Sequence, residues 1–488
     1  MNRLITLTLL LIFGSAEGVY AQFPYFQKSY DIEGQVTSST AILVDTNIYM
    51  SCGSFKPSSL HLFHGKIDGV GNLLDSLITP DSIRVMGKYI DGMVAYKNHL
   101  YSLGSTFINQ KRASLLYKLN LDLDTVFVKT YGSLGTSISL QTPRILNDTI
   151  HTATFRDGSG NLTYYQLDTN GNVLNTFLVI IPPSYGAVIY DAQLTDDQAI
   201  IFSGGYLDSP TADYYKAFFA KVRFTGQTKF VIHPASEAFG SVSLLADKEQ
   251  YILTHGITVS EELVGFINKE LPFVAKYSKD GTLLWRRDYF REDTAITSGA
   301  FNQSVCESNG DLVYAGDGKV SSDSSNRSAI IIAKTDSLGN LLWQRHYTWG
   351  FNNYLKSLIK SPFGGYYLFG YADIDPNTGH QSPFLWHVDE YGCVSPDCHL
   401  ADGIAERGSL LPLRIYPNPA TSSFVIQCGD CPPDQQMYVQ LVDAQGKTLV
   451  QQSYRPGDAI NTTNLAQGVY SVLLMSKDKQ WMGRVVVE

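Results

Sequence analysis

Residues 275–289, AKYSKDGTLLWRRDY, and 333–347, AKTDSLGNLLWQRHY, are two copies of one pattern, and this repetition limits the fold more than any other feature. Each copy has a strand-like run, a tight polar turn ending in Gly281 or Gly339, and a second run carrying Leu-Leu-Trp with a tyrosine four residues beyond the tryptophan. Weaker copies are KIDGVGNLLDSLI at 66–78, KLNLDLDTVFVKTY at 118–131, QLDTNGNVLNTF at 166–177, KVRFTGQTKFVI at 221–232 and HVDEYGCV at 387–394. Gly71, Leu123, Gly171, Gly226, Gly281, Gly339 and Gly392 hold the turn position at spacings of 48 to 58 residues, so the unit occurs seven times. The centre of a hairpin turn needs positive φ, which Gly, Asn and Asp supply. The flanking β-branched and aromatic residues suit strands that pair and bury one face.

Upstream of these turns lie runs that read as strands ending in glycine, among them IYMSCG, LYSLG, AIIFSGG, YILTHG, LVYAG and YYLFG. Four short strands in some fifty residues predict one propeller blade per repeat. The last copy stops at Cys393 without its aromatic strand, and FQKSY at 26–30 aligns with WQRHY at 343–347 and WRRDY at 285–289. The expectation is therefore all-β: a seven-bladed β-propeller over residues 22–400, closed by the N-terminal strand, which also covers an otherwise open sheet edge. The repeats resemble those of bacterial secreted propeller families with a lysine–strand–Asp-x-x-Gly-Asn–strand–Trp pattern, a likeness of fold rather than of function.

Residues 401–411 read as a linker and 412–488 as a small immunoglobulin-like β-sandwich, from the runs FVIQC, MYVQLVDAQGKTLV, GVYSVLL and GRVVVE. Tyr416-Pro417-Asn418-Pro419 opens this segment, Gly446-Lys447 occupies a hairpin turn, and Gly468-Val469-Tyr470 starts a later strand. The pattern resembles the type A C-terminal sorting domain of the type IX secretion system of Bacteroidetes-like bacteria. The resemblance implies export through the periplasm, docking to that secretion machinery, and a fate at the outer-membrane surface or outside the cell.

The other end of the chain agrees with export. Arg3, the apolar run Leu4–Phe13 and Val19-Tyr20-Ala21 read as a signal peptide over residues 1–21, cleaved between Ala21 and Gln22. With 17% charged residues and a net charge of −9, the chain has no basic stripe for nucleic acid. Contact with a membrane is expected only through export or surface attachment. Six cysteines in an exported protein suggest disulfides, and the candidates are the close pairs Cys393 with Cys398 and Cys428 with Cys431. Cys52 and Cys306 remain, either paired or as buried thiols.

Searches for catalytic and cofactor motifs return no metalloprotease, nucleophile-elbow or nucleotide-binding pattern. His61 and His64 share the run SLHLFHG and are read as polar strand residues, while His233, His255, His346 and His387 are scattered over different repeats. Trp285, Trp343, Phe127 and Phe26 recur at one repeat position, which predicts packing between blades, whereas Trp349 and Trp386 break the pattern and are read as surface candidates. No cofactor is expected. One weak calcium-like string, Asp373, Asp375 and Asn377, is also read as an ordinary Asx-rich turn. The Asp-Ser/Thr-hydrophobic tripeptides, such as 75–77 and 336–338, resemble an O-glycosylation acceptor of Bacteroidetes.

The least repetitive segments follow the glycine-ended runs, and as loops they would gather on one side of a ring. Phe107, Tyr206, Tyr214, Glu261 and Phe266 on them form a candidate binding rim. The expected function is non-catalytic recognition of a glycan or protein ligand through that rim. Two alternatives stand beside it: a glycan-processing hydrolase or lyase with its site at the channel mouth, and a structural surface component.

Overall fold

The computed structural model describes residues 25–32, 35–56, 59–79, 92–108, 111–132, 138–155, 161–181, 185–209, 211, 216–233, 238–246, 252–264, 267–289, 296–320, 327–375, 380–394, 411–427, 437–442, 448–475 and 480–487. The signal-peptide segment with Ala21 and Gln22, and most of the linker, lie outside them. The chain divides into two compact units at Val394/Ser395, and every element among the described residues is a strand.

The first unit consists of four-stranded antiparallel sheets laid down in chain order. The first holds Gln35–Val44, Asn47–Lys56, Ser59–Ile67 and Leu73–Ile78, each strand paired with the next. Equivalent sheets span 93–131, 141–179, 186–232, 238–288 and 296–347, the fourth and fifth joined by one further pairing, Lys216 with Phe239. The seventh takes three strands from 353–388 and its fourth from the other end of the unit. Phe26–Ser29 pairs antiparallel with His380–Val388, placing Gln27 opposite Trp386.

A separate hydrophobic core fills each junction between consecutive sheets. Tyr49, Leu62 and Leu119 join the first sheet to the second, Phe202 and Tyr164 the third to the fourth, and Trp386 and Ile332 the sixth to the seventh. Tyr30, Ile32, Tyr367, Met50 and Ile48 join the seventh to the first. The first strand of each sheet contacts the first strand of the next, and Asn353–Lys360 contacts Gln35–Val44.

The repeated turns have one construction. In Asp68–Asn72 the Asp68 carboxylate accepts from the backbone N–H of Val70 (3.0 Å) and Asn72 (2.7 Å) and from the Asn72 amide (2.9 Å), while Gly71 takes φ +82°. Asp168–Asn172 and Asp336–Asn340 repeat these bonds. The aromatic of the preceding sheet lies on the turn glycine, so a Cβ on Gly339 would stand 2.9 Å from the Trp285 ring, and one on Gly392 2.9 Å from Trp343. Gly71 carries Phe26 in the same way, at 2.5 Å. The terminal tyrosine of one sheet donates to the turn carbonyl of the next: Tyr131 to Gly171 (2.7 Å), Tyr289 to Gly339 (2.9 Å) and Tyr30 to Gly71 (3.0 Å). The recurring aromatics thus pack between sheets.

The glycine-ended strands need correction. Gly53, Gly204, Gly316 and Gly370 lie inside their strands, which continue to Lys56, Leu207, Val320 and Asp375. Each faces a β-bulge in the first strand of its own sheet. A Cβ at Gly204, Gly316 or Gly370 would collide with the carbonyl oxygen of Val188, Ala300 or Tyr354, so the close approach of the bulged backbone demands glycine there.

The second unit packs two sheets over one core that includes Phe424, Tyr454, Val472 and Trp481. One sheet runs Leu411–Pro412, Gln480–Val487, Gly468–Met475, Met437–Val442, Thr448–Tyr454. The other runs Arg414–Tyr416, Ser423–Gln427, Ala459–Asn461. Leu411, assigned to the linker from sequence, already pairs with Trp481.

Candidate functional site

Bulges in the first strands, three of them opposite Gly204, Gly316 and Gly370, shape the most distinctive site of the first unit. Register is lost between Ile189 and Asp191, Phe301 and Gln303, Leu355 and Ser357, and Gln141 and Arg144. The extra residues are Tyr190, Asn302, Lys356 and the pair Thr142-Pro143. A bulge re-aims a side chain that regular alternation would bury in the sheet face. Tyr190, Asn302, Lys356 and Thr142 all line one cavity of about 490 Å³, whose described lining residues lie on or beside the first strands of six sheets. That volume lies within the usual range of small-molecule sites.

Hydroxyls and amides of Ser39, Thr40, Gln193, Gln303, Ser304 and Ser357 share the wall with apolar residues such as Ile42, Met93 and Leu358. Arg144 Nη2 donates to Asp191 Oδ1 at 2.7 Å, and Arg144 Nη1 to the Pro143 carbonyl at 3.0 Å. Asp191 Oδ1 also accepts from the Ala192 N–H at 2.7 Å, so this pair is tied into the strand. Behind the wall, Asp317 accepts from the Leu355 N–H at 2.7 Å. Burial holds its carboxyl above the usual range, against the opposing pull of Lys356, the Leu355 N–H and Asn302. The carboxylate therefore fixes the backbone beside Lys356. Bridges of the same kind run from Ala41 N–H to Ser357 Oγ (3.0 Å) and from Ile189 N–H to Gln141 Oε1 (3.2 Å), tying neighbouring first strands together.

Thr142 is unusual in three respects. It has φ +49°, a left-handed conformation that costs a β-branched residue roughly 1–3 kcal/mol. It is 8% exposed, and its hydroxyl has no hydrogen-bond partner. Ser39, 5% exposed on the same wall, likewise has a hydroxyl without a partner.

The rim is not assembled as expected. Tyr206 is 6% exposed, its ring against Phe218 and 4.6 Å from the His233 ring, because its strand runs past Gly204 and carries it into the sheet junction. Phe107 and Glu261 stand on strands His99–Ile108 and Ile252–Val264 rather than on loops. Tyr214 and Phe266 lie outside the described residues. Trp386, read as a surface residue, is fully buried against Phe384 and Tyr347 because it belongs to the third strand of the seventh sheet; Trp349 is 37% exposed.

The described part of the calcium-like string is strand. Asp373 and Asp375 close Tyr366–Asp375, Asp373 Oδ2 accepts from Asn352 at 2.6 Å, and Asn377 lies outside the described residues. No cluster of metal-ligating residues occurs among the described residues.

The histidines of the first sheets face sheet junctions. His61 contacts the Thr79 carbonyl through Nδ1 at 3.1 Å. His64, 1% exposed, has no partner on either ring nitrogen, and His151, 2% exposed, meets the Tyr164 hydroxyl at 2.5 Å. Burial pushes both His64 and His151 down to about 4.

The cysteines divide in the same way between described and undescribed positions. Cys393 is disulfide-bonded, while its expected partner Cys398 lies outside the described residues. Cys428 lies outside them too, and so does Cys431, both falling between the strands Ser423–Gln427 and Met437–Val442. A bond from Cys428 to Cys431 therefore stays an expectation from their spacing. Cys52 is a buried thiol, and Cys306 directs its Sγ to the Glu307 carbonyl at 3.5 Å.

In the second unit the Tyr416-Pro-Asn-Pro segment has a clear structural task. Asn418 Nδ2 donates to the Arg484 carbonyl (2.9 Å), and its Oδ1 accepts from the Val486 N–H (2.8 Å). The side chain thus imitates a strand partner for Gln480–Val487 where the two flanking prolines leave no N–H. Tyr416 is 71% exposed, and both Tyr416-Pro417 and Asn418-Pro419 are cis. Gly468 starts its strand and Tyr470, 6% exposed, donates to the Ala466 carbonyl at 2.6 Å. Gly446 and Lys447 lie outside the described residues. Residues 414–488 match the family described as the secretion system C-terminal sorting domain.

The second unit is a sorting domain. Its presence marks the chain as a client of the type IX secretion machinery, exported to the outer-membrane surface or the extracellular space. No curated protein matches the sequence. Among solved structures, a subtype N10 neuraminidase-like protein (A/little yellow-shouldered bat/Guatemala) is 9% identical with a TM-score of 0.39, covering 74% of this chain and 98% of its own. A lignostilbene dioxygenase from Pseudomonas brassicacearum is 11% identical with a TM-score of 0.43, covering 74% and 94%.

Sequence reasoning missed the cavity. Tyr190, Asn302, Lys356 and Thr142 share no residue type; the first three bulges leave a glycine on the opposite strand, and the one at Thr142 leaves none.

Proposed function

We propose that this is an exported recognition protein: a seven-bladed β-propeller over residues 22–400 that binds a ligand in its central channel, carried out of the cell by the sorting domain at 412–488. A signal peptide over 1–21, cut between Ala21 and Gln22, starts export. Closure of the ring is supported by the seam of the seventh and first sheets, where Phe26, Lys28 and Tyr30 make the contacts that Trp285, Lys129 and Tyr131 make elsewhere. Lys28 reaches Asn72 at 2.8 Å and Lys129 reaches Asn172 at 2.5 Å.

The observation that carries the binding role is the set of bulges that brings Thr142, Tyr190, Asn302 and Lys356 to one polar cavity. Four distortions converging on one space are hard to explain as packing alone, since a bulge interrupts ladder bonds. Recognition fits this wall better than hydrolysis. Asp191 is the one carboxylate among the described lining residues, and it is held by Arg144.

The test is an array of glycans and proteins probed with the intact exported chain beside its Asn302→Ala and Lys356→Met variants. The reading expects a ligand that both variants lose and that is recovered chemically unchanged. Binding that is indifferent to both substitutions, or a ligand returned cleaved, would contradict it.

A further inference from the structure

The outermost strand of the third sheet differs from its counterparts in the other sheets. Val173–Val179, sequence VLNTFLV, ends that sheet and pairs on its inner side with Leu162–Asp168; no strand among the described residues pairs with its other edge. An open edge presents free N–H and C=O groups to any strand that arrives, and proteins guard such edges with charge. The other six outermost strands each carry a guard: Lys28, Asp75, Lys129, Lys229, Arg286 and Arg345. Val173–Val179 has none, and no charged residue occurs anywhere from Thr169 to Tyr190. What it shows instead is Leu174, 51% exposed, and Leu178, 58% exposed, with Ile180 just beyond them at 62%. Exposed apolar side chains gathered on an unguarded edge mark a contact surface.

The order of the residues says which partner fits. Read from either end, Val-Leu-Asn-Thr-Phe-Leu-Val is the same except at Asn175 and Phe177. Two copies of one strand related by a two-fold axis pair antiparallel, with the central residue opposite itself and every other residue opposite its mirror position. Centred on Thr176, that pairing sets Val173 against Val179 and Leu174 against Leu178, so leucine meets leucine on both sides of a threonine pair. Thr176 is exposed like the two leucines, and Asn175–Val179 keeps regular register with its inner neighbour, the bulge of this strand lying at its turn end. The same operation on TVFVKTY in the second sheet, centred on Val128, would set Phe127 against Lys129. A strand from an unrelated chain would gain nothing from the symmetry of Val173–Val179.

We propose that the exported chain forms a two-fold dimer in which Val173–Val179 pairs antiparallel with the same strand of a second copy, joining the two third sheets edge to edge. The strand lies at the opposite side of its sheet from Gln141–Leu146, which reaches the cavity, so the dimer stands independently of what the channel binds.

The experiment is sedimentation velocity on the intact exported chain over a dilution series. The proposal expects a monomer–dimer equilibrium for the parent. Leu178→Lys, at an exposed position, should weaken the dimer roughly hundredfold or more and leave the circular dichroism spectrum unchanged, because the two-fold axis loses the leucine twice. Thr176→Cys should cross-link into a dimer on mild oxidation, since directly paired residues stand about 4.5–5.5 Å apart at Cα, within disulfide range. Thr125→Cys, exposed on the outermost strand of the second sheet, should not. A parent that is monomeric at every concentration overturns the proposal. So does a dimer that Leu178→Lys leaves intact, or a Thr176→Cys variant that cross-links no faster than Thr125→Cys.

Discussion

The outer and inner ends of the sheets are built on opposite terms. At the outer end one set of contacts recurs: an aromatic on a turn glycine, a tyrosine hydroxyl on that glycine's carbonyl, a lysine on the neighbouring asparagine. Tyr30, Tyr131 and Tyr289 make the same bond at three junctions, at 2.7 to 3.0 Å. At the inner end the repeat dissolves. The bulges present Tyr190, Asn302, Lys356 or Thr142, and two wall hydroxyls are left unpaired. The difference teaches where repetition serves: junctions that hold two sheets together copy one solution, whereas the cavity wall takes a different side chain from each sheet that reaches it.

The contrast can be broken most severely at the seam. Deleting residues 22–32 removes the strand Phe26–Ser29 and the buried Tyr30 and Ile32. The loss of packing is expected to exceed about 4 kcal/mol and to leave an exposed edge along His380–Val388. Loss of a cooperative melting transition or insolubility would show it; an unchanged transition would mean that the seam is dispensable.

Acid tests the junctions next. His64 and His151 ionise at about 4 when folded against 6.5 when exposed, so the unfolded chain binds more protons between these values. Their contribution is intact above pH 6.5 and is lost as pH falls toward 4, up to about 3 kcal/mol for each. Melting temperature against pH should fall over that window, and His64→Phe should flatten the fall.

Single residues then separate the two ends by sign. Gly339→Ala forces a Cβ toward Trp285 at φ +82° and should cost about 2 kcal/mol in denaturant unfolding. Tyr131→Phe removes one phenol-to-carbonyl bond and should cost about 1 kcal/mol. Thr142→Gly relieves strain at the channel, against the entropy that glycine adds to the unfolded chain, and should leave stability unchanged or raise it by up to about 1 kcal/mol. A clear loss at Thr142→Gly would place that residue with the structural glycines and not with the site.

What the sequence makes legible follows the same division. Gly71, Gly171 and Gly339 are readable because positive φ in a short polar turn restricts residue type. The aromatic four residues before the tyrosine is readable because four strands reuse it, at Phe26, Phe127, Trp285 and Trp343. Tyr206 and Trp386 were misplaced because a strand's length and its place within a sheet depend on pairing partners far away in the chain. The channel was unreadable for a related reason: Gly204, Gly316 and Gly370 do record the bulges, yet a glycine beside a polar stretch looks the same whether it ends a strand or yields to a neighbouring carbonyl. Asn418 stands between these cases. The motif is visible, but its bonds to Arg484 and Val486 are not.

Closure of the ring by the chain's own beginning is the claim on which the channel and its ligand depend. Hydrogen exchange on the intact exported chain measures it directly, by comparing the backbone amides of Phe26–Tyr30 with those of Leu341–Tyr347, the fourth strand of the sixth sheet. The account predicts protection of the same order in both segments. Exchange of Phe26–Tyr30 at the rate of a free peptide, beside a protected Leu341–Tyr347, would contradict it.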